Sequence, residues 1–284
     1  MQVDQGLFWS VLDWKPTSAC NAFARPRNRS LSQVPLYDAL AVDYDRFVNW
    51  AGRLSHELPF FTSLFQRHGV QRVLDAACGT GHHAIALAQK GYQLVGADLS
   101  APMVARAEEN AAAYGVDVTF AVAGLGGYAA LGQTFDAAIC LGNSLPHLLS
   151  GAAVEEALAD FAAVLRPGGV LVIQNRNFDR VWRERERFMP PQTFQDAEGE
   201  WIFVRFYDFH EESLTFNMIR LRRTAEGWSQ DVESTELRPI FAQDLVSALA
   251  TAGFEPVTLH GSYDGSPFDP AGSGDLIAVA ARKA

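Results

Sequence analysis

Val73-Leu74-Asp75-Ala76-Ala77-Cys78-Gly79-Thr80-Gly81-His82-His83 decides the fold. The apolar pair Val73-Leu74 ends at an acid, a glycine-paired turn follows, and Ala84-Ile85-Ala86-Leu87-Ala88-Gln89-Lys90 has a helical composition. Strand, glycine turn and helix in that order form the phosphate- or nucleoside-binding corner of a doubly wound sheet. Gly79 and Gly81 suit a turn that needs positive φ and lets a ligand approach the backbone. The next apolar run, Leu94-Val95-Gly96-Ala97, ends at Asp98, near the separation at which such corners place the acid for ribose hydroxyls. The alternative is a plain strand–turn–helix with two surface acids, and the order and spacing of the pieces argue against it.

Gly79-x-Gly81-x-x-Ala84 has the spacing of a dinucleotide fingerprint. Asp75, four residues before Gly79, weighs against that ligand. A carboxylate at the mouth of the turn repels a pyrophosphate and attracts an ammonium. S-adenosylmethionine has a ribose, no phosphate and a cationic methionine end, so Asp75 and Asp98 together favour it.

Asp75-Ala-Ala-Cys-Gly-Thr-Gly81 resembles motif I of the class I methyltransferases, with Ala77 where a glycine is more usual. Leu141-Gly-Asn-Ser-Leu-Pro-His-Leu148 and Asn175-Arg-Asn-Phe-Asp179 resemble, more narrowly, the glycine N-methyltransferase group. The resemblance runs from about Tyr37 to the C-terminus. It implies an α/β fold: a doubly wound, mostly parallel seven-stranded sheet with a small antiparallel insert. S-adenosylmethionine is then the cofactor and a small molecule the methyl acceptor. Asp75, Ala77, Gly79, Gly81, Asp98, Leu99 and Leu141 are the implied cofactor contacts. Arg53, with Trp50, falls where such families often place a partner for the methionine carboxylate; the alternative for Arg53 is a solvated charge. Met103 either lines the adenine site or fills core. Relatives commonly carry an acid for the adenine amino group where this chain has Gly124, so backbone groups around Gly124 and Leu125 are expected to serve instead. Arg176 matches the arginine that holds an amino-acid carboxylate in the glycine N-methyltransferase group, the alternative being a salt bridge to Asp179 or a nearby acid. Asn143 would supply orienting hydrogen bonds. His147 is a base, a substrate contact or a helix-start residue.

A formal charge of −10 argues against a nucleic-acid backbone as partner. The 284 residues, 48% of them apolar, are enough for one large α/β domain with insertions. No apolar run reaches membrane-spanning length. Cys20, Cys78 and Cys140 lack any CxxC spacing and read as reduced thiols in a cytoplasm. Leu7–Leu12 is short and flanked by Asp4 and Asp13, which does not suit a secretory signal. Residues 1–34 are expected to be a loose extension, with an ordered lid as the alternative. Nothing in the sequence indicates an oligomeric state.

Tyr37, Leu40, Ala41, Tyr44, Phe47 and Val48 recur at helix spacing, and a second amphipathic helix is expected over Leu54–His68. Tyr37 and Tyr44 either reach the acceptor or fill core. Helix Ala101–Tyr114, strand Val118–Val122 and the unalternating strand Phe135–Leu141, buried on both faces, follow. Then come helix Ala152–Leu165, the turn Arg166–Gly169 and strand Val170–Gln174. Ligands in open α/β sheets bind beyond the carboxyl ends of strands, so Asn143 and Arg176 should face the crevice of Asp75 and Asp98. Residues 35–179 and 241–284 form the expected core. Residues 180–240 form an antiparallel insert that closes the crevice, with strands Trp201–Phe209, Leu214–Arg222 and Trp228–Glu236. Helix Ala242–Ala252 and strands Pro256–His260 and Leu276–Ala281 complete the core. Tyr207 and Arg238 are expected to reach the acceptor, with Tyr263 and Asp264 as secondary candidates.

Methyl transfer from a sulfonium is an in-line displacement with a neutral leaving group, so alignment and water exclusion carry most of it. The adjacent His82-His83 pair diverges, and no HExxH or Cys/His spacing suggests a metal. The expected activity is N-methylation of a small carboxylate-bearing amine. The alternatives are O-methylation of another metabolite, a nicotinamide-dependent oxidoreductase, and a cofactor-binding regulator.

Overall fold

The computed structural model describes residues 34–283. The expected loose extension, Val34 apart, lies outside the described residues. Three helices come first: α1 (Pro35–Leu40), α2 (Tyr44–Phe47) and α3 (Trp50–Arg67). The single helix expected from Tyr37 to Val48 is broken in two, because Asp43 leaves helical geometry and Val48 is extended. The Asp43 carboxylate holds Arg46 and Arg220 instead, each at 2.8 Å. α3 starts earlier than its apolar periodicity, since the Asn49 side chain caps it by accepting from the Gly52 N–H at 3.1 Å.

The alternating segment is β1 (Arg72–Ala76), α4 (His82–Ala88), β2 (Gln93–Asp98), α5 (Ala101–Tyr114) and β3 (Thr119–Val122). It continues with β4 (Phe135–Cys140), α6 (Gly151–Val164), β5 (Leu165–Arg176) and α7 (Phe178–Glu184). Four strands follow: β6 (Gln192–Asp196), β7 (Gly199–Phe209), β8 (Leu214–Thr224) and β9 (Gly227–Leu237). Helix α8 (Ala242–Thr251), β10 (Phe254–His260) and β11 (Asp275–Arg282) end the described chain.

The main sheet has seven strands in the order β10-β11-β5-β4-β1-β2-β3, and β6–β9 make a separate four-stranded antiparallel sheet. β1 to β5 are parallel, and β11 alone runs against its neighbours. The mostly parallel sheet with a small antiparallel one is the architecture expected. The order reverses on either side of β1, so the crevice opens at the carboxyl ends of β1 and β4. Burial follows a period of two. Ala138 and Cys140 face a core built from α6 and α8 (Val154, Phe161, Leu245), while Ala137 and Ile139 face one built from α3 and α4 (Phe61, Phe65, Leu87).

Two elements are additions to the expected pattern. α7 is capped by Asn177, whose carbonyl accepts from the Arg180 N–H at 3.2 Å. β6 is a short, polar edge strand without the alternation that marks its three partners. The expected turn Arg166–Gly169 is absorbed into β5, at a register shift in the β4–β5 pairing. Across the crevice, the second sheet packs Trp201, Phe203 and Met218 against Leu36 and Leu40 of α1. Its other end packs Tyr207 and Leu214 on Phe178 and Val181 of α7. Among the described residues, no helix is long and apolar enough to cross a membrane.

Candidate active site

β1 passes into α4 through Ala77 (φ 57°), Gly79 (φ 55°) and Gly81 (φ 80°). Gly81 is required by packing: a Cβ there would lie 2.8 Å from Ala107 and 2.9 Å from Phe120. It supports the turn from behind and does not line the cavity, against the expectation of a direct contact. Ala77 holds the left-handed conformation despite its side chain, at a cost of roughly 1–2 kcal/mol, where the resembled motif more usually has glycine.

A cavity of about 550 Å³, within the usual range for small-molecule sites, lies over this turn. Asp75, Ala77, Gly79 and Asp98 line it, as do Leu99, Met103, Gly124, Leu125 and Leu141. The Asp98 carboxylate is fixed by two backbone donors, Gly79 N–H at 2.8 Å and Ser100 N–H at 2.9 Å. Burial raises its pKa, and nearby Asp38 adds to the rise. Asp75 is only 2% exposed, and burial pushes its carboxyl up to about 7 although the Ala84 N–H donates to it at 3.1 Å. Gly124 contributes backbone at a turn closed by the Gly127 N–H on its carbonyl at 3.0 Å.

The N-terminal helices are tied to this corner through Asp45, which no sequence motif marks. Asp45 accepts from Thr80 Oγ1 (2.7 Å), Trp50 Nε1 (3.1 Å) and Asn110 Nδ2 (3.1 Å), and meets His82 Nε2 at 3.1 Å. Burial alone would raise its carboxyl, but bonds from His82, Thr80 and Asn110 hold it well below the usual carboxylate range. Trp50 stacks on His82 at 4.5 Å. Arg53 Nε donates to Glu57 at 2.7 Å, and the other Glu57 oxygen meets His83 Nε2 at 2.6 Å. His82 and His83 thus serve two separate carboxylates.

A second cavity of about 270 Å³ adjoins the first, sharing Tyr37, Tyr44, Arg53, Gly142 and His147 with it. Asn143, Arg176, Arg205, Tyr207, Met189 and Asp275 line its far side. Asn143 has φ 66°, a conformation asparagine tolerates, and its carbonyl accepts from the Arg176 N–H at 3.0 Å. It therefore first braces the ends of β4 and β5, leaving its amide nitrogen as the group for a ligand. Arg176 Nε is buried without a partner, and its ion pair, with Glu186, is loose at 3.8 Å. Asp179, the expected alternative partner, accepts from the Ala242 N–H at 3.0 Å.

Tyr37 and His147 stand where the two cavities meet. The Tyr37 hydroxyl and His147 Nε2 are 2.8 Å apart. Burial pushes the histidine down to about 4 and the tyrosine far up, so both are neutral at pH 7, and the His147 tautomer sets which of the two donates. Burial thus leaves His147 a weak base, which favours a substrate-contact role over a base role.

Arg238, Tyr263 and Asp264 line neither cavity. Arg238 gives its N–H to the Pro146 carbonyl at 2.8 Å, Tyr263 packs on Phe61 at 5.5 Å, and Asp264 accepts from Ser266. Arg205 shares a β-strand face with Phe203 and Tyr207.

Residues 73–169 match the methyltransferase-domain family. A glycine/sarcosine N-methyltransferase of Parasynechococcus marenigrum (strain WH8102) is 39% identical over 228 residues, covering 78% of this chain and 76% of that one. Glycine N-methyltransferase of Rattus norvegicus is 37% identical over 130 residues, 42% of this chain and 44% of its own. The solved sugar N-methyltransferase KedS8 from a Streptoalloteichus species has a TM-score of 0.69 at 22% identity, covering 100% of this chain and 99% of that one. At that identity the likeness concerns the fold.

Proposed function

Because the chain belongs to the glycine/sarcosine N-methyltransferase family of S-adenosylmethionine-dependent enzymes, we propose that it methylates the nitrogen of a small amine bearing a carboxylate. That membership sets aside the nicotinamide and non-catalytic alternatives. The observation that carries the substrate reading is the junction of two cavities, one over Asp75 and Asp98, the other at Asn143 and Arg176.

The first cavity fits the methyl donor. Asp75 is a buried carboxylate suited to an ammonium, and Asp98 keeps lone pairs for ribose hydroxyls while two N–H groups fix its plane. Arg53, aligned by Glu57, suits the methionine carboxylate. Leu99, Met103 and Leu125 offer an apolar slot for adenine, with Gly124 and Gly127 supplying backbone. When bound, S-adenosylmethionine supplies an electrophilic methyl on a positive sulfur.

The residues of this chain then bind, orient and exclude water. Arg176 grips the acceptor carboxylate with parallel hydrogen bonds. The Asn143 amide donates to the same group. Tyr37, Tyr44 and Tyr207 wall the approach, and the Tyr37 oxygen keeps a lone pair for the acceptor amine. With His147 a weak base, the acceptor ammonium gives its proton to water before binding, and the neutral nitrogen is the form that reacts. Alignment of this kind is worth about 7–11 kcal/mol in favourable cases. The buried free thiols Cys78 and Cys140 support a reducing, cytoplasmic setting.

A pH dependence is expected from Asp75. The ligand ammonium pairs with the ionised carboxyl, whose pKa in the free protein is about 7. Protonation competes with binding, so S-adenosylhomocysteine affinity should be level above pH 7. It should fall as pH drops through 7, by up to about tenfold per unit. Calorimetry checks it: Asp75→Asn should flatten the profile, and a wild-type profile already flat between about pH 8 and about pH 5.5 contradicts the assignment.

The substrate reading is tested with labelled methyl donor and a panel of amino acids, their amides and simple amines. Turnover of acids well above their amides supports it; equal turnover overturns it.

A further inference from the structure

Arg176 alone does not account for the charge of the acceptor chamber. In the pairing of β5 with β11, Arg176 stands directly opposite Asp275, which lines the same chamber. Glu186 approaches Arg176 from α7's end at 3.8 Å. Asp275 is itself held by Gln174 Nε2 at 3.0 Å. Arg53 is likewise matched, by Glu57 at 2.7 Å. The guanidinium that lacks any such acid is Arg205, on β7. It lies over the Phe47 ring at 4.8 Å, and its Nε is buried with no hydrogen-bond partner. Among the described residues no carboxylate forms an ion pair with it. Arg205 is half-buried, and burial and the neighbouring Arg176 both lower its pKa, the sign of a cation partly withdrawn from water beside another.

Glu186 is matched by Arg180 at 3.1 Å, so among the charged groups lining the chamber Glu57 balances Arg53, Asp275 balances Arg176, and Arg205 remains. A desolvated cation without a counter-ion is costly, and an anion from the ligand removes the cost. The chamber therefore has room for one negative charge, which is the charge of a carboxylate whose amine is neutral. We propose that Arg205 is a second acceptor-binding residue: it supplies the uncompensated positive charge that selects a singly anionic acceptor, while Arg176 supplies the geometry of the carboxylate grip. This rests on the reading of the acceptor as a carboxylate-bearing amine. It places the selection for an acid on the insert strand β7, opposite the end of β5.

The test compares an amino acid with its amide, using whichever acid of the panel turns over best, in the wild type and in Arg205→Gln and Arg205→Lys. Arg205→Gln should raise KM for the acid by at least about tenfold, the loss of a hydrogen bond to a charged group. The amide should be little affected, so the preference for the acid collapses. Arg205→Lys should recover part of that preference, because the charge is restored without the planar fork. Unchanged S-adenosylhomocysteine binding in both variants shows that the fold and donor site are intact. If Arg205→Gln keeps the wild-type preference, Arg205 is not an acceptor residue, and the carboxylate reading stands. If the wild type itself shows no preference for the acid, the carboxylate reading fails and this inference with it.

Discussion

Arg176→Lys is expected to lower kcat/KM on a carboxylate-bearing amine by about ten- to a hundredfold, while S-adenosylhomocysteine affinity stays at the wild-type value. The charge survives this substitution; the fork does not. Arg176 reaches the chamber from the last residue of β5, and its backbone N–H is held by Asn143 at 3.0 Å. Its position is therefore set by the backbone, and a lysine would occupy the same place with a point charge that cannot make two parallel bonds. The Arg176 Nε is buried with no hydrogen-bond partner among the described residues, and the residue lines the acceptor chamber. Steady-state kinetics on the preferred acid, with calorimetry on the donor side, measure the two quantities separately. Unaltered turnover would remove Arg176 from the acceptor grip.

Asp98→Ala should weaken S-adenosylhomocysteine by about 1.5–3 kcal/mol, the range for hydrogen bonds to a charged group. Two losses combine. The ribose loses its acceptor, and the Gly79 and Ser100 N–H groups that Asp98 satisfies at 2.8 Å and 2.9 Å lose theirs. Water can reach those donors in a cavity this open, so the sheet should remain folded and the effect should appear in affinity. A dissociation constant unchanged by the substitution would mean that the ribose is held elsewhere.

The corner around Asp75 was legible because its signals are local: an apolar strand, paired glycines and a helix succeed one another without interruption. Asn143 and Arg176 were legible for a related reason, since the residues just past the carboxyl ends of parallel strands are delivered into one crevice. Asp45 was not. Its partners Thr80 and Asn110 lie far along the chain, and they meet only because α2 breaks from α1 and docks on the corner. Arg238 was placed in the acceptor pocket on its charge and position in the insert, yet its backbone is pinned to Pro146. Arg205 was missed: it shares a strand face with Tyr207, but a lone charge in a strand carries no signal that separates a cavity-lining side chain from a solvated one. His147 shows a third limit. Its place could be read from the motif around it, but its weakness as a base comes from burial beside Tyr37.

The most direct test of N-methylation on a carboxylate-bearing amine is the position of the transferred methyl. The enzyme is incubated with donor labelled on the methyl group and with glycine or its N-methyl derivative, and the product is fragmented by mass spectrometry. The label is predicted on nitrogen, with the carboxylate unmodified because the arginines of the acceptor chamber hold it away from the donor. Label on the carboxylate as an ester, or none on either acceptor while carboxylate-free amines are methylated, would contradict it.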